Sequence, residues 1–84
     1  MTQVILDGNV LADAAKMHKY LKEMFGFPSY YGMNLDALYD CLTDLENVEI
    51  SITLPDEDGA IFQKVLRIFK AADRNNDLIK LNIL

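Results

Sequence analysis

Three aspartates, Asp36, Asp40 and Asp44, recur at intervals of four residues along the sequence. On a helix this spacing places the three carboxylates on one face, because residues four apart are neighbours on a helical surface. Like charges at this spacing destabilise a helix by about 0.2 to 0.5 kcal/mol per pair, and a carboxylate near the C-terminus also opposes the helix dipole. Such a face is suited to binding a strongly basic partner.

The surrounding sequence contains no cation that could neutralise this face. The 41 residues from Glu23 to Gln63 include nine acidic residues and no Lys, Arg or His, so this segment carries a charge of −9. The other 43 residues hold all eight Lys and Arg and four acids, which gives them +4 and the chain −5. Exposed helix faces that are merely solvated are common, but they usually mix both signs. The separation of charge therefore favours an interaction surface.

Catalysis and metal binding are poorly supported by these residues. Paired carboxylates act as acid and base only where a pocket separates their pKa values, and a convex helix face offers none. The lone His18 is expected to point to solvent, and Cys41 is expected to be a small buried hydrophobe. The acidic turn 56–59 lacks the ligand spacing of a calcium loop. We predict no enzyme activity, metal or cofactor; a small metal-dependent enzyme using the three aspartates is the alternative of that class.

Two adjacent tyrosines, Tyr30 and Tyr31, precede the acidic stretch in a predicted loop. Adjacent aromatic residues in a loop do not both point the same way, so we expect one in the core and one exposed. An exposed tyrosine beside carboxylates is a good interface anchor, because it buries much area while losing little rotamer entropy. Packing of both tyrosines inward is the alternative. Gly32 fits a turn with positive φ, and Asn34 fits a helix N-cap.

Alternating hydrophobic and polar residues predict three short strands, at 2–6, 48–54 and 78–84. Parallel strands need long crossover connections, and the helical segments between these strands are long enough to supply them. Polar residues at alternate positions of the second and third strands predict that one face of the sheet is open. We therefore expect one α/β domain, residues 1–84, with a small three-stranded parallel sheet and helices packed mainly on one face.

Helical periodicity predicts three helices between and around these strands. The first begins with Asp13 as N-cap and ends before Gly26, whose position suits a C-terminal glycine. The second begins at Asn34 and turns an apolar stripe inward while the three aspartates face elsewhere; the stripe is Leu35, Leu38, Leu42 and Leu45. The third follows the acidic turn 56–59 and has an apolar face and a basic one.

Composition narrows the class of partner. A pI near 4.5 argues against nucleic acid or an anionic membrane, because both would repel this surface. A single cysteine permits no internal disulfide, the first eight residues lack a signal-peptide pattern, and no apolar run reaches the ~18 residues of a membrane span. We expect a cytoplasmic protein, monomeric when free, with no nucleic acid, membrane or small-molecule substrate as partner.

The segment 28–43 resembles the barstar family, the intracellular inhibitors of the bacterial ribonuclease barnase. The shared pattern is Tyr-Tyr-Gly-x-Asn-Leu-Asp-Ala-Leu, followed by an aromatic residue, Asp and then Leu-Thr. The order of elements agrees along nearly the whole chain, and residues 65–70 and the closing strand also resemble the family. The resemblance implies a barstar-like fold and an inhibitor that plugs the active site of a basic barnase-like ribonuclease with its second helix and the preceding loop.

The resemblance also implies roles for individual residues. Asp40 would imitate a substrate phosphate, Asp36 and Thr43 would support it, and Tyr30 would stack on the catalytic histidine of the nuclease. The partner-binding residues implied in this way are Tyr30, Gly32, Asn34, Leu35, Asp36, Tyr39, Asp40, Thr43 and Asp44. A module of the same fold that binds a different basic protein, without nuclease inhibition, is the alternative.

The sequence departs from the family pattern at several of these positions. Ala71 stands where the family's last helix offers a further acidic contact. Asp44 and Leu45 replace a small residue and an aromatic one, and Tyr39 replaces tryptophan. The connection 55–59 is also shorter than the family's usual loop. We expect these differences to affect the choice of nuclease, and we hypothesise that Asp44 compensates for Ala71.

Overall fold

The computed structural model describes residues 1–84. Three strands form one sheet with the order β1-β2-β3, and both pairs of neighbouring strands are parallel. The elements in chain order are β1 (Thr2–Leu6), α1 (Gly8–Leu11), α2 (Met17–Phe25), α3 (Leu35–Thr43), β2 (Val48–Ile52), α4 (Ala60–Asn75) and β3 (Ile79–Ile83). The predicted α/β class and the three-stranded parallel sheet are confirmed.

The hydrophobic core lies on one face of the sheet. Ile50 at the centre of β2 is fully buried and pairs with Val4 on one side and Leu81 on the other. The helices cover this face with apolar side chains that include Leu21 of α2, Leu38 and Leu42 of α3, and Phe62 and Phe69 of α4. These residues follow the predicted helical stripes, since apolar side chains at helical spacing face the core.

The other face of the sheet is open, as the polar alternation predicted. Ile5 on this face is 63% exposed. Glu49 of β2, the central strand, accepts hydrogen bonds from Gln3 Nε2 at 3.2 Å and Asn82 Nδ2 at 3.0 Å, and it forms a salt bridge with Lys80. Cross-strand polar pairs thus cover part of the face that no helix covers.

A short helix, α1, directly follows β1 and was not among the three predicted helices. The carboxylate of Asp7 accepts a hydrogen bond from the Asn9 N–H at 2.9 Å, which is the N-cap arrangement. Gly8 packs so closely against the segment that follows β2 that an added Cβ would collide with the carbonyl oxygen of Thr53. Glycine is therefore required here for close approach of two backbone segments.

The remaining boundaries differ by a few residues from the predicted ones. Helix α2 begins at Met17, because Asp13 instead caps a turn by accepting from the Ala15 N–H at 2.9 Å. Gly26 has φ 65° and ends α2 as expected for a left-handed C-terminal glycine. Strand β2 ends at Ile52, two residues early. None of the helices is both long enough and apolar enough to span a membrane.

Candidate protein-binding surface

The two tyrosines ahead of α3 lie in opposite environments. Tyr30 is 85% exposed and Tyr31 is 5% exposed, so the predicted division between a surface and a core tyrosine is confirmed. The ring of Tyr31 packs against Phe27 with 5.0 Å between the ring centroids. Tyr31 thus fastens the loop to the core and leaves Tyr30 free to contact a partner.

His18 on α2 contacts the same loop. Its Nδ1 lies 2.6 Å from the hydroxyl oxygen of Tyr31, and its side chain is partly buried. The prediction that His18 points to solvent is therefore wrong, because its partner comes from another element. Burial lowers the pKa of His18. Burial first, and then the nearby Cys41, raise the pKa of Tyr31 to about 12, so a protonated phenol faces a neutral imidazole at neutral pH.

Asn34 fixes the start of α3. Its Oδ1 accepts a hydrogen bond from the Ala37 N–H at 2.8 Å, and its Nδ2 donates to the Gly32 carbonyl at 3.2 Å. The predicted N-cap is confirmed. The positive φ predicted for Gly32 is wrong, because the left-handed residue of this turn is Met33, with φ 56°. Gly32 is limited by space instead: an added Cβ would lie 3.1 Å from Nδ2 of Asn34.

The three aspartates of α3 are exposed and have no cationic partner. Asp36, Asp40 and Asp44 lie on the solvent side of the helix, and the only salt bridge of the protein joins Lys80 to Glu49 at 3.5 Å on the open face of the sheet. Asp36 stands in the first turn, where negative charge is favourable, whereas Asp44 is the C-cap, where it is not. The carboxylates remain available to an external cation.

The C-terminal end of α3 is held by Asn76, a buried residue from the turn between α4 and β3. Its Nδ2 donates to the carbonyl oxygens of Leu42 at 3.1 Å, Thr43 at 3.2 Å and Leu45 at 2.9 Å. Its Oδ1 accepts from the Leu78 N–H at 2.9 Å. No basic residue stands in the last turn of α3. A neutral amide therefore satisfies the free carbonyls and leaves the negative charge of the helix intact.

Three further predicted residues are only partly exposed: Leu35, Tyr39 and Thr43. The Tyr39 hydroxyl accepts a hydrogen bond from Asn75 Nδ2 at 3.0 Å. The Thr43 hydroxyl donates to the carbonyl oxygen of Asp40 at 2.9 Å. The first contact joins α3 to α4 and the second joins a side chain of α3 to its own backbone. These residues therefore support the helix, while part of their surface remains accessible to a partner.

A surface cavity of about 310 Å³ lies between the end of α2 and one side of α3. Six of its lining residues are Phe25, Phe27, Tyr30, Asp40, Cys41 and Asp44. The two phenylalanine rings stack with 5.3 Å between centroids and 17° between planes. Burial, and then the carboxylates of Asp44 and Asp40, raise the pKa of the Cys41 thiol. The cavity thus combines an apolar wall with two exposed carboxylates.

The cavity brings Tyr30, Asp40 and Asp44 together, whereas Asn34 and Asp36 lie at the other end of α3. Sequence reasoning did not identify the phenylalanine wall or Asn76. The only indication of the phenylalanine wall in the sequence was the pair of Gly26 and Pro28, because these two residues reverse the chain beside α3. No three His, Cys, Asp or Glu side chains are grouped so that they could hold a metal ion.

Residues 1–83 match the family model described as Barstar (barnase inhibitor). The chain belongs to the barstar family. The resemblance inferred from residues 28–43 is therefore confirmed, and the parallel sheet of three strands agrees with it. In this family member the segment that carries the resemblance supplies the loop, the helix and two of the three aspartates, Asp36 and Asp40.

A curated protein of Bacillus subtilis (strain 168) is similar to this barstar-family chain. It is described as "Putative ribonuclease inhibitor YrdF" and is 41% identical over 54 residues. The match covers 64% of this chain and 59% of the relative, which is less than two thirds of the relative's own length.

Proposed function

We propose that this protein inhibits a basic ribonuclease of the barnase type by covering its active site with α3 and the loop before it. The observation that carries the proposal is the exposed, unpaired set of carboxylates on a helix that is fixed at both ends by Asn34 and Asn76. Membership of the barstar family and the description of the Bacillus subtilis relative support it. We place the encounter in the cytoplasm, where a single free thiol, Cys41, is ordinary.

The chemistry of a ribonuclease active site explains how such a surface inhibits. A site that binds RNA must hold several phosphates, so it presents Arg, Lys or His side chains. The Asp40 carboxylate would occupy the place of one phosphate and accept their hydrogen bonds, which are stronger when both groups are charged. Asp36 and Asp44 would extend the negative surface on either side. The protein forms no covalent bond with the enzyme and excludes RNA by occupying its place.

The other proposed contact residues position or widen this surface. Tyr30 would stack on a catalytic histidine, for which its 85% exposed ring is available without rearrangement. Thr43, through its bond to the Asp40 carbonyl, would hold the backbone under the central carboxylate. Gly32, Asn34, Leu35 and Tyr39 would form the rim. Because α3 is fixed before binding, little ordering entropy opposes association.

An inhibition titration tests the proposal. A barnase-type ribonuclease is titrated with the protein and with two variants of equal charge, Asp40→Ala and Asp13→Ala, at low and high salt. Asp40→Ala should weaken binding by at least ~2 kcal/mol, as loss of a charged hot spot does. Asp13→Ala, at a residue that lies before α2, should change binding little.

Salt should slow association of the wild-type protein strongly, because attraction between opposite charges is screened. The barnase and barstar pair is itself the familiar example of such steering, so this salt dependence is an expectation for a family member. Absence of inhibition by the wild-type protein would contradict the proposal and favour a different basic protein as partner.

A further inference from the structure

The cavity beside α3 has the shape and lining of a receptor for one side chain. Its volume of about 310 Å³ lies at the lower end of the range for ligand sites. It is open to solvent along the same side of α3 that carries Asp40 and Asp44. A protein that covers Asp40 would therefore also cover the mouth of the cavity, and a side chain from that protein could enter it.

The lining restricts the chemistry of that side chain. One wall is apolar: it is formed by Phe25 and Phe27, whose rings stack on each other with 17° between their planes, and by Leu45. The polar groups of the cavity include the carboxylates of Asp40 and Asp44, neither of which has a salt-bridge partner. An anionic side chain would be repelled and a neutral apolar one would leave both carboxylates uncompensated. A cation with an apolar surface matches the lining.

The helix itself adds to the negative potential at this point. Asp40 and Asp44 are one turn apart and repel each other in the free protein. Asp44 is also the C-cap of α3, where the helix dipole is negative, and Asn76 satisfies the carbonyls there without supplying positive charge. A cation placed between the two carboxylates would relieve this repulsion.

We propose that the cavity receives an arginine side chain of the ribonuclease, with its guanidinium between Asp40 and Asp44 and against the apolar wall that includes Phe25. This inference rests on the proposed function and adds a specific partner group to it. Arginine fits better than lysine because its guanidinium is planar, weakly hydrated, able to stack on aromatic rings and able to donate to two acceptors at once. A lysine ammonium would have to lose a strongly held hydration shell.

Two substitutions distinguish a contact inside the cavity from long-range electrostatic attraction. Asp44→Asn removes a carboxylate of the cavity, and Glu46→Gln removes the same charge from an exposed residue that does not line it. The wild-type protein and both variants are assayed for dissociation of the complex with a barnase-type ribonuclease. Asp44→Asn should weaken binding about tenfold or more, mainly through faster dissociation. Glu46→Gln should change affinity little and act only on the association rate.

Blocking the cavity gives an independent measurement. Leu45→Phe should fill part of it while keeping both carboxylates, and should weaken binding to a similar extent as Asp44→Asn. Because this variant could be destabilised, Cys41 provides a second readout in the unmodified protein. Its thiol lines the cavity, so alkylation by iodoacetamide should slow severalfold in the presence of excess cysteine-free ribonuclease. Unchanged alkylation would contradict occupation of the cavity.

The group on the nuclease is identified by double-mutant cycles. Each arginine and lysine near its active site is replaced by alanine, and the effect of Asp44→Asn is measured again. The effect should disappear for one arginine, and Arg→Lys there should not restore it. Coupling to a lysine, or to no cation, would overturn the inference. If Asp44→Asn equals Glu46→Gln while Asp40→Ala abolishes inhibition, the inference fails and the proposed function stands; if the wild-type protein does not inhibit, both fail.

Discussion

The side-chain Nδ2 of Asn76 lies 2.9 Å from the carbonyl oxygen of Leu45, just beyond the end of α3. The same nitrogen reaches two more carbonyls of this helix end, from a turn more than 30 residues away in the sequence. The acidic helix is therefore fastened by an uncharged group at the end where a cation would be the usual stabiliser. This end of α3 is therefore held in place while the negative charge of the helix is not reduced.

Replacing Asn76 should loosen this end of α3. Asn76→Ala removes the donor of the part-buried carbonyls of Thr43 and Leu45 and one donor of the Leu42 carbonyl, so the free energy of unfolding should fall by about 1 to 3 kcal/mol. Urea unfolding followed by circular dichroism measures the loss. The control is Asp77→Ala, at an exposed neighbouring residue whose side chain makes no hydrogen bond or salt bridge, where the change should be within about 0.5 kcal/mol. Equal losses in the two variants would contradict the role assigned to Asn76.

His18 should make stability fall as the pH decreases below its ordinary pKa of 6.5. Its pKa is lowered from 6.5 by burial, so the folded protein binds this proton less tightly than the unfolded chain. The associated stability is present above pH 6.5 and is lost as the pH falls through the lowered pKa of the folded state. His18 is the only histidine of the chain.

Urea unfolding between pH 8 and pH 5 tests this expectation with the His18→Gln variant. Glutamine does not titrate, so the wild-type protein should lose more stability than the variant over this interval. Loss of the contact with Tyr31 should also lower the stability of the variant at pH 8, by about 0.5 to 1.5 kcal/mol for one hydrogen bond. Identical pH profiles would show that the imidazole titrates as it does in the unfolded chain.

Glu49 should contribute to stability at neutral pH and lose this contribution in acid. Its pKa is lowered first by the hydrogen bond from Asn82, and also by Lys80 and Gln3. A lowered carboxyl pKa means that the stability is present above the unfolded value, about 4.3, and disappears as the pH falls through the folded value. Comparing Glu49→Gln with the wild type at pH 7 and pH 3 tests this, because the stability difference should shrink at pH 3.

Tyr30 should affect binding without affecting folding. Because its ring is 85% exposed, Tyr30→Ala should change the free energy of unfolding by less than about 0.5 kcal/mol. Loss of an aromatic anchor should nevertheless weaken inhibition of a barnase-type ribonuclease by more than about tenfold. Tyr31→Ala offers the opposite comparison, since a buried aromatic residue contributes to the core and its loss should cost about 3 to 5 kcal/mol. Unchanged inhibition by Tyr30→Ala would remove this residue from the interface.

Local patterns in the sequence predicted most of the fold. Strict alternation around Ile50 and the helical stripe of Leu38 and Leu42 are local properties, and both correspond to buried residues. Helix α1 escaped prediction because four residues are too few to show a helical period. The N-cap at Asn34 was predictable because its hydrogen bond joins residues three apart, whereas the positive φ of Met33 has no signature in its residue type.

The candidate site also has one part that could be predicted from local sequence and one part that could not. The exposed aspartates follow from spacing along one helix. The cavity does not, because Phe25 and Asp44 come together only when the end of α2 lies against α3. The contact between His18 and Tyr31 likewise joins two elements, and the bonds from Asn76 span more than 30 residues. Long-range contacts of this kind could not be predicted from local sequence patterns, because they form only in the folded structure.

Competition with a small phosphate ligand tests the central claim most directly. If the Asp40 carboxylate occupies the phosphate site of the ribonuclease, a mononucleotide bound there must be displaced before the inhibitor binds. The affinity of the wild-type protein for a barnase-type ribonuclease should then fall in proportion to the occupancy of that site by the nucleotide. Simultaneous binding of nucleotide and wild-type protein, with an affinity unchanged at saturating nucleotide, would contradict the account.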